Sequence, residues 1–586
     1  MRPEPGGRPE VPVRYSDQKS ALFAKRRRPS TARSPAAGRL VSAALAAFAW
    51  LVFLHGCPSP PGEAPTPAEN DPIHAATGNS LPIEDETGAI PLQDLPPATV
   101  GQQPTPAEPA GLEIRNGWLV HNGRVVWGYG QHNSWWRTRE GANITRNNPG
   151  VIGPNHTEDL DKLTDNMLRY AYPAFEHNYG LWYDRRRDRH DTQRRSDANA
   201  VPPFLEQPWA RSGIGTAWDG LSRYDLTRYN PWYFDRLKTF AALCDAKGTV
   251  LFHNFYMQHA LLEFTTHYVD FPWRPVNCIQ NTNMPDDVPA ANAFYDTSDP
   301  VRRSLHQAYI RKCLDELGGY SNVFHLCSQE YTGPLSFMRF WLDTVSEWES
   351  QNHRDVKVCL GGTKDVLDAL AADPRVSALD LRYFSYRPNG SLYAPPGGQQ
   401  IAGRYTAGFD AAATSPYQIY RQVREYRLAY PDKPIIHMIA ASRQQSWAFL
   451  MAGGSVILRF MEYPDFSTPP DYIAPAHAPI IQPTYDFIDT HLSDRLFRMM
   501  PADLVNNPQD NWCLAEPGHT YLVYALHGGS IDLDLTAAAG KTLRAQWFNP
   551  RTGSLTPAHT GQVAGGATAS FSAPDTNDWA LLVDLP

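Results

Sequence analysis

At 586 residues the chain is too long for one ordinary domain and can bury a sizeable core. Its 42% hydrophobic and 19% charged residues describe a globular protein with polar appendages, and a net charge of -8 argues against a nucleic-acid partner. The 16 Trp and 28 Tyr exceed the usual needs of a core; aromatic faces pack against the apolar faces of sugar rings, so the excess points to a carbohydrate site or a Trp-rich core.

In chain order, basic residues from Lys25 to Arg39 precede an apolar run over 40–54, shorter than the roughly 20 residues of a membrane span. That is the pattern of an export signal, expected over 1–57. It ends Leu54-His55-Gly56-Cys57, which resembles the bacterial lipoprotein box and makes Cys57 the expected lipidation site. His55 departs from that box, so plain secretion or an uncleaved anchor stays open. Residues 58–111, rich in Pro and Ala, cannot bury enough apolar area to offset their ordering entropy and read as a disordered tether. The expectation is an exported, membrane-anchored lipoprotein, periplasmic or at the cell surface. Of the 7 Cys, those after Cys57 are widely scattered without metal-ligand spacing, so neither a metal nor another cofactor is expected. Export would permit a disulfide at Cys278, with no partner selected.

The folded region opens with alternating strands broken by Asn116-Gly117 and Asn122-Gly123, two hairpin turns of a meander able to close the bottom of a barrel. The loop over 131–137 then places His132, Asn133, Trp135 and Trp136 just after a strand, as a sugar-binding wall or as a Trp pair packed under the loop. Apolar strands and amphipathic helices alternate from there: a helix over 159–166, strands over 167–173 and 249–256, then helices over 231–247 and 301–317. The run Val323 to Ser328 ends on Glu330 before Thr332-Gly333-Pro334 breaks it, so a strand delivers an acid to a loop. Further strands are expected over 356–360, 379–384, 434–439 and 455–460. About eight such units are the periodicity of a (β/α)8 barrel, here 112–498. Beyond it, short β-runs and Gly turns predict a small antiparallel β-sandwich over 499–586.

The Gly-x-x-x-Ser-Trp-Trp loop, Ser328-Gln329-Glu330 at a strand end and the Lys433-Pro434-Ile435-Ile436 strand resemble the clan A glycoside hydrolases, above all the bacterial apiosidase-like group and an adjoining family. The resemblance spans about 112–586 and implies a TIM barrel with an acid/base Glu after strand four, where Glu330 stands; Gln329 departs from the Asn common there. The clan's nucleophile Glu ends strand seven, where this chain reads His437-Met438-Ile439. Trp547-Phe-Asn-Pro-Arg-Thr-Gly553 resembles the signature of a domain labelled collagen-binding that accompanies such barrels. Packing on the barrel is its expected role.

Glycoside hydrolysis needs two carboxyl groups flanking the scissile bond, one to protonate the leaving oxygen and one to attack carbon or activate water. Glu330 is the expected acid. The second is Glu462, past the last barrel strand, or Asp380; Glu462 is preferred because Arg382 or a backbone group offers Asp380 another partner. Arg169, Asn254, Arg382, Tyr383 and His437 come at or near expected strand ends, where they could orient hydroxyls or a uronate; a buried, hydrogen-bonded histidine is the other reading of His437. The expected function is hydrolysis of a glycosidic bond in an oligo- or polysaccharide. The alternatives are a non-catalytic carbohydrate receptor, for want of the strand-seven acid, and a matrix or collagen adhesin acting through the terminal domain. No phosphate loop, nucleotide-binding glycine pattern or Ser-His-Asp order stands out.

Overall fold

The computed structural model describes residues 111–132, 160–179, 207–262, 268–393, 414–438, 442–459 and 478–586. Cys57, Asn133, Trp135, Trp136 and Glu462 lie outside them, as does the expected signal. Among the described residues, no helix is long and apolar enough to cross a membrane.

Eight strands close into a parallel barrel: β1 (Gly128–His132), β2 (Ala174–His177), β3 (Val250–Met257), β4 (Val323–Gln329), β5 (Lys357–Gly361), β6 (Ala378–Asp380), β7 (Ile435–Met438) and β8 (Val456–Arg459). Closure is made by β8 on β1, with Val456 opposite Gly128. The connecting helices are α1 (Leu160–Arg169), α2 (Pro231–Lys247), α3 (Pro300–Leu317), α4 (Leu335–Asn352), α5 (Lys364–Leu370), α6 (Pro416–Ala429) and α7 (Arg443–Met451), with α8 (Ala478–His491) after β8.

Strands buried on both faces divide their side chains by parity over the apolar layer of the barrel. Val250, Phe252, Phe324, Leu326, Ala378 and Ile436 form the lumen core, while Leu251, Val323, Val358 and Leu379 join the larger core shared with the helices. Leu112 and Leu119 enter the lumen core from the N-terminal meander and seal the bottom. Both meander turns have the Asn-Gly form expected: Asn116 and Asn122 take φ of 46° and 50°, and the glycines after them 71° and 77°. At Gly117 the requirement is double, because a Cβ there would also lie 1.6 Å from Arg427 Nη1.

The described cysteines are all free and buried, Cys278 included, and burial pushes the Cys278 thiol up to about 11. One element differs from expectation. Helix α1 continues to Arg169 and β2 begins at Ala174, because Leu163, Met167 and Tyr170 keep a helical spacing into the core and the chain turns only at Ala171, φ 65°.

The C-terminal region is an antiparallel sheet in the order Met500–Ala502, Asn511–Glu516, Thr520–Ala525, Trp579–Asp584, Thr542–Phe548, Leu555–Pro557. Alternation again separates two faces. Val523, Leu581 and Trp547 pack under the ribbon formed by Ser530–Asp534 and Thr568–Ser572, whereas Leu522, Tyr524, Leu582 and Phe548 join the barrel's helical core. Trp447 of α7 stacks on Tyr524 at 5.1 Å and Phe487 of α8 on Phe548 at 4.1 Å. Arg443 pairs with the buried Asp578 at 2.7 Å across the same seam.

Candidate active site

The polar residues of the barrel gather where β2, β3, β4 and β6 end, the face on which barrels of this type place their chemistry. Parity continues the lumen side past the apolar layer, so Glu176, Asn254 and Asp380 follow Ala174, Phe252 and Ala378 into the mouth. The guanidinium of Arg382 joins them: Nη1 donates to Glu176 Oε1 at 2.6 Å and Nε to Asp380 Oδ2 at 2.6 Å. The Arg382 N–H donates to Asp380 Oδ1 at 3.1 Å, and Asn254 Nδ2 to Glu176 Oε1 at 3.0 Å. At the end of β5, Gly361 keeps room for this cluster, since a Cβ there would come within 3.2 Å of Asp380 Oδ2.

These groups are essentially without solvent, and one cation serves two acids. Burial pushes both carboxyls upward in pKa, with Arg382 pulling each back; Arg382 itself is raised by the two acids against its own burial. Leaving such acids without their cation would cost far more than the net worth of the pairs.

Glu330 follows β4 directly and is 3% exposed. Its φ is 58°, the left-handed region, which costs a non-glycine residue on the order of 1–3 kcal/mol and persists only where its surroundings over-determine it. Those surroundings grip its backbone from two sides. Its N–H donates to Tyr383 Oη at 2.5 Å, and its carbonyl accepts from Gln258 Nε2 at 2.9 Å. The preceding Gln329 accepts a bond from Asn178 at the end of β2.

Of the residues singled out in the sequence, Glu330, Asp380, Asn254, Arg382 and Tyr383 are brought together at this end. The backbone of His132 joins them, in register with Glu176. Two are elsewhere. Arg169 ends α1 rather than a strand, on the bottom side where helices feed into strands, exposed and with its guanidinium 5.1 Å from the Tyr170 ring. His437 has the outward parity, opposite to Ile436, and lies against the helices, 3.4 Å from Gln422 Oε1 of α6 and beside Phe449 of α7. It is a buried core histidine. Sequence reasoning missed Glu176, Asn178 and Gln258. Glu176 carried a signal: a lone acid in a fully buried strand must have a partner. Among the described residues, no group of three His, Cys, Asp or Glu is arranged to hold a metal ion.

A closed eight-stranded parallel barrel followed by a packed β-sandwich is an architecture found among glycoside hydrolases. A solved structure described as "Glycoside hydrolase" aligns with a TM-score of 0.51 at 11% identity, covering 81% of this chain and 97% of that one. A glycoside hydrolase family 5 structure from Bacteroides vulgatus ATCC 8482 aligns at 0.49 and 11% identity, covering 81% and 93%. At that identity the likeness is one of fold. The chain belongs to the family described as "Domain of unknown function (DUF6298)", whose model matches residues 79–467. Residues 503–584 match a second model, "Putative collagen-binding domain of a collagenase". No curated protein matches the chain.

Proposed function

We propose that the protein hydrolyses a glycosidic bond in an oligo- or polysaccharide, with Glu330 as the general acid/base. The observation that carries this reading is the conformation of Glu330, a carboxylic acid held at positive φ after β4 by bonds to both its N–H and its carbonyl. A strained, doubly fixed acid at the functional end of a barrel is a device for aiming a carboxyl group. Glu176 and Asp380 are both engaged by Arg382, which leaves Glu462 as the better second carboxylate. The sheet of the terminal domain is buried on both faces, which supports a stiffening role for that domain over adhesion.

Replacing Glu330 with Gln keeps its size and removes the transferable proton. Once a glycan cleaved by the wild type has been found by screening plant and microbial polysaccharides, Glu330→Gln should slow its hydrolysis by about 10²–10⁴-fold. Substrates with activated leaving groups need less protonation and should suffer less. Cleavage at the wild-type rate would remove Glu330 from the reaction, and binding of glycans without cleavage of any would favour a receptor. The leader and tether motivate export with lipidation at Cys57, so Cys57→Ala should release the protein from membranes or leave its signal uncleaved; unchanged processing and attachment would reject lipidation.

A further inference from the structure

Gln258 lies one residue past β3 and is 1% exposed, and all of its amide's hydrogen-bonding capacity goes to one short loop and its brace. Nε2 donates to the Glu330 carbonyl at 2.9 Å and to Thr332 Oγ1 at 2.6 Å. Oε1 accepts from the Thr332 N–H at 3.1 Å and from the Tyr295 hydroxyl at 3.0 Å. The backbone N–H of Gln258 adds a bond to the Gln329 carbonyl at 3.2 Å. Chemistry fixes which way the amide points, because the reversed orientation would set its NH₂ against the Thr332 N–H.

Tyr295 belongs to the long insertion between β3 and α3. Its ring sits 5.3 Å from that of Tyr331 and 4.6 Å from that of Phe337 at the start of α4, so the insertion supports the loop after β4 from outside the barrel. Tyr383 holds the other side of the same residue, through the Glu330 N–H.

We propose that Gln258, braced by Tyr295, is a positioning residue: it locks residues 329–332 so that Glu330 stays in the left-handed conformation, and thereby sets the direction of its carboxyl. Gln258 acts through Glu330 and does not itself touch the substrate. The consequence for hydrolysis rests on the acid/base reading of Glu330; the consequence for the loop does not. Without the amide, residue 330 is free to relax to an ordinary extended conformation, which swings its Cβ to a new direction. A displacement near 1 Å at a reacting group is enough to cost about 10²-fold in rate.

The test compares Gln258→Leu, which removes the four side-chain bonds at similar size, with Tyr295→Phe, which removes one and keeps the ring packing. Hydrogen exchange in peptides spanning residues 323–334 should rise at least about 10-fold in Gln258→Leu, with peptides over residues 579–584 unchanged, since a local opening leaves remote elements protected. On a glycan that the wild type cleaves, kcat should fall about 10²-fold with KM changed by less than about 3-fold, the split expected when orientation rather than binding is lost. Tyr295→Phe should move both readouts in the same direction by less. Unchanged exchange over residues 323–334 in a folded Gln258→Leu overturns the clamp whether or not a substrate is known; should that variant not fold, unchanged exchange in Tyr295→Phe does so. Altered exchange with wild-type kcat overturns the positioning role. A wild-type rate in Glu330→Gln would instead defeat the acid/base reading while leaving the exchange result to judge the clamp.

Discussion

Two of the barrel's buried arginines mark its two ends, and they are held in opposite ways. At the bottom, Arg427 of α6 donates to the carbonyls of Pro431 and Asn116 and lies 5.5 Å from the Trp118 ring, tying the first Asn-Gly turn to the helix layer. Burial among neutral dipoles pushes its pKa down to about 10. At the top, Arg382 is surrounded by two carboxylates and pushed upward. The first is a latch, whose guanidinium the protein tolerates for the sake of geometry. The second is the counter-charge that lets two acids stand in a dry barrel mouth. The sealed bottom is thus held by hydrogen bonds to neutral carbonyls and ring packing, whereas the open end combines a strained backbone at Glu330 with a buried cluster of charge.

The comparison breaks most visibly at Arg382. Arg382→Met would leave Glu176 and Asp380 buried without their cation, a loss on the order of 3–5 kcal/mol, measurable by chemical denaturation. Lowering the pH should recover part of it, because the stranded acids can then be neutralised. Arg427→Met strands carbonyls rather than charges, so about 1–3 kcal/mol is expected, eased by removal of a guanidinium that burial disfavours. A denaturation experiment in which the two variants cost the same, with the same pH dependence, would erase the distinction between the ends.

The bottom can be sharpened further at Gly117. An added Cβ meets both a positive φ of 71° and the guanidinium of Arg427 at 1.6 Å, so Gly117→Ala should cost about 1–3 kcal/mol on its own. Once Arg427 has been replaced by Met, the guanidinium clash is gone and what remains is the backbone term and the Pro431 carbonyl, 2.5 Å from the same Cβ. The double variant should therefore be more stable than the sum of the singles predicts, by about 0.5–3 kcal/mol. Strict additivity would mean that the turn and the arginine are independent.

Much of this arrangement was legible in the sequence because it is local. The Asn-Gly turns declare their own geometry, the buried strands are short apolar runs, and Glu330 is conspicuous as the acid between such a run and Thr332-Gly333-Pro334. Partnership across the barrel was not legible: Glu176 and Arg382 meet across 206 residues of separation. Register also decided two residues that pattern alone left ambiguous. Met167 and Tyr170 suit a strand or a helix equally well, and placing the strand there hid Glu176 and put Arg169 at the wrong end. His437 differs from a lumen residue by a single step, which in a strand reverses the face.

The smallest expected effect concerns Glu176 alone, and its sign is what matters. Burial, the largest influence, raises its folded-state pKa above the ordinary 4.5, with Arg382 and Asn254 opposing and Asp380 adding to the rise. The folded protein therefore holds this proton to higher pH than the unfolded chain does. Linkage then requires its contribution to stability to be fully present below about pH 4.5 and to be lost as pH rises through the folded-state pKa. Glu176→Gln keeps an oxygen able to accept from Arg382 Nη1 and Asn254 Nδ2 but cannot ionise. Denaturation of both proteins at intervals from pH 4 to pH 8 should show the variant gaining on the wild type as pH rises, with Arg382→Met proteins outside this comparison because their acids have lost the opposing cation. If instead the wild type gains on the variant over that interval, Arg382 holds Glu176 ionised more strongly than burial opposes it, and the barrel mouth carries its full negative charge under neutral conditions.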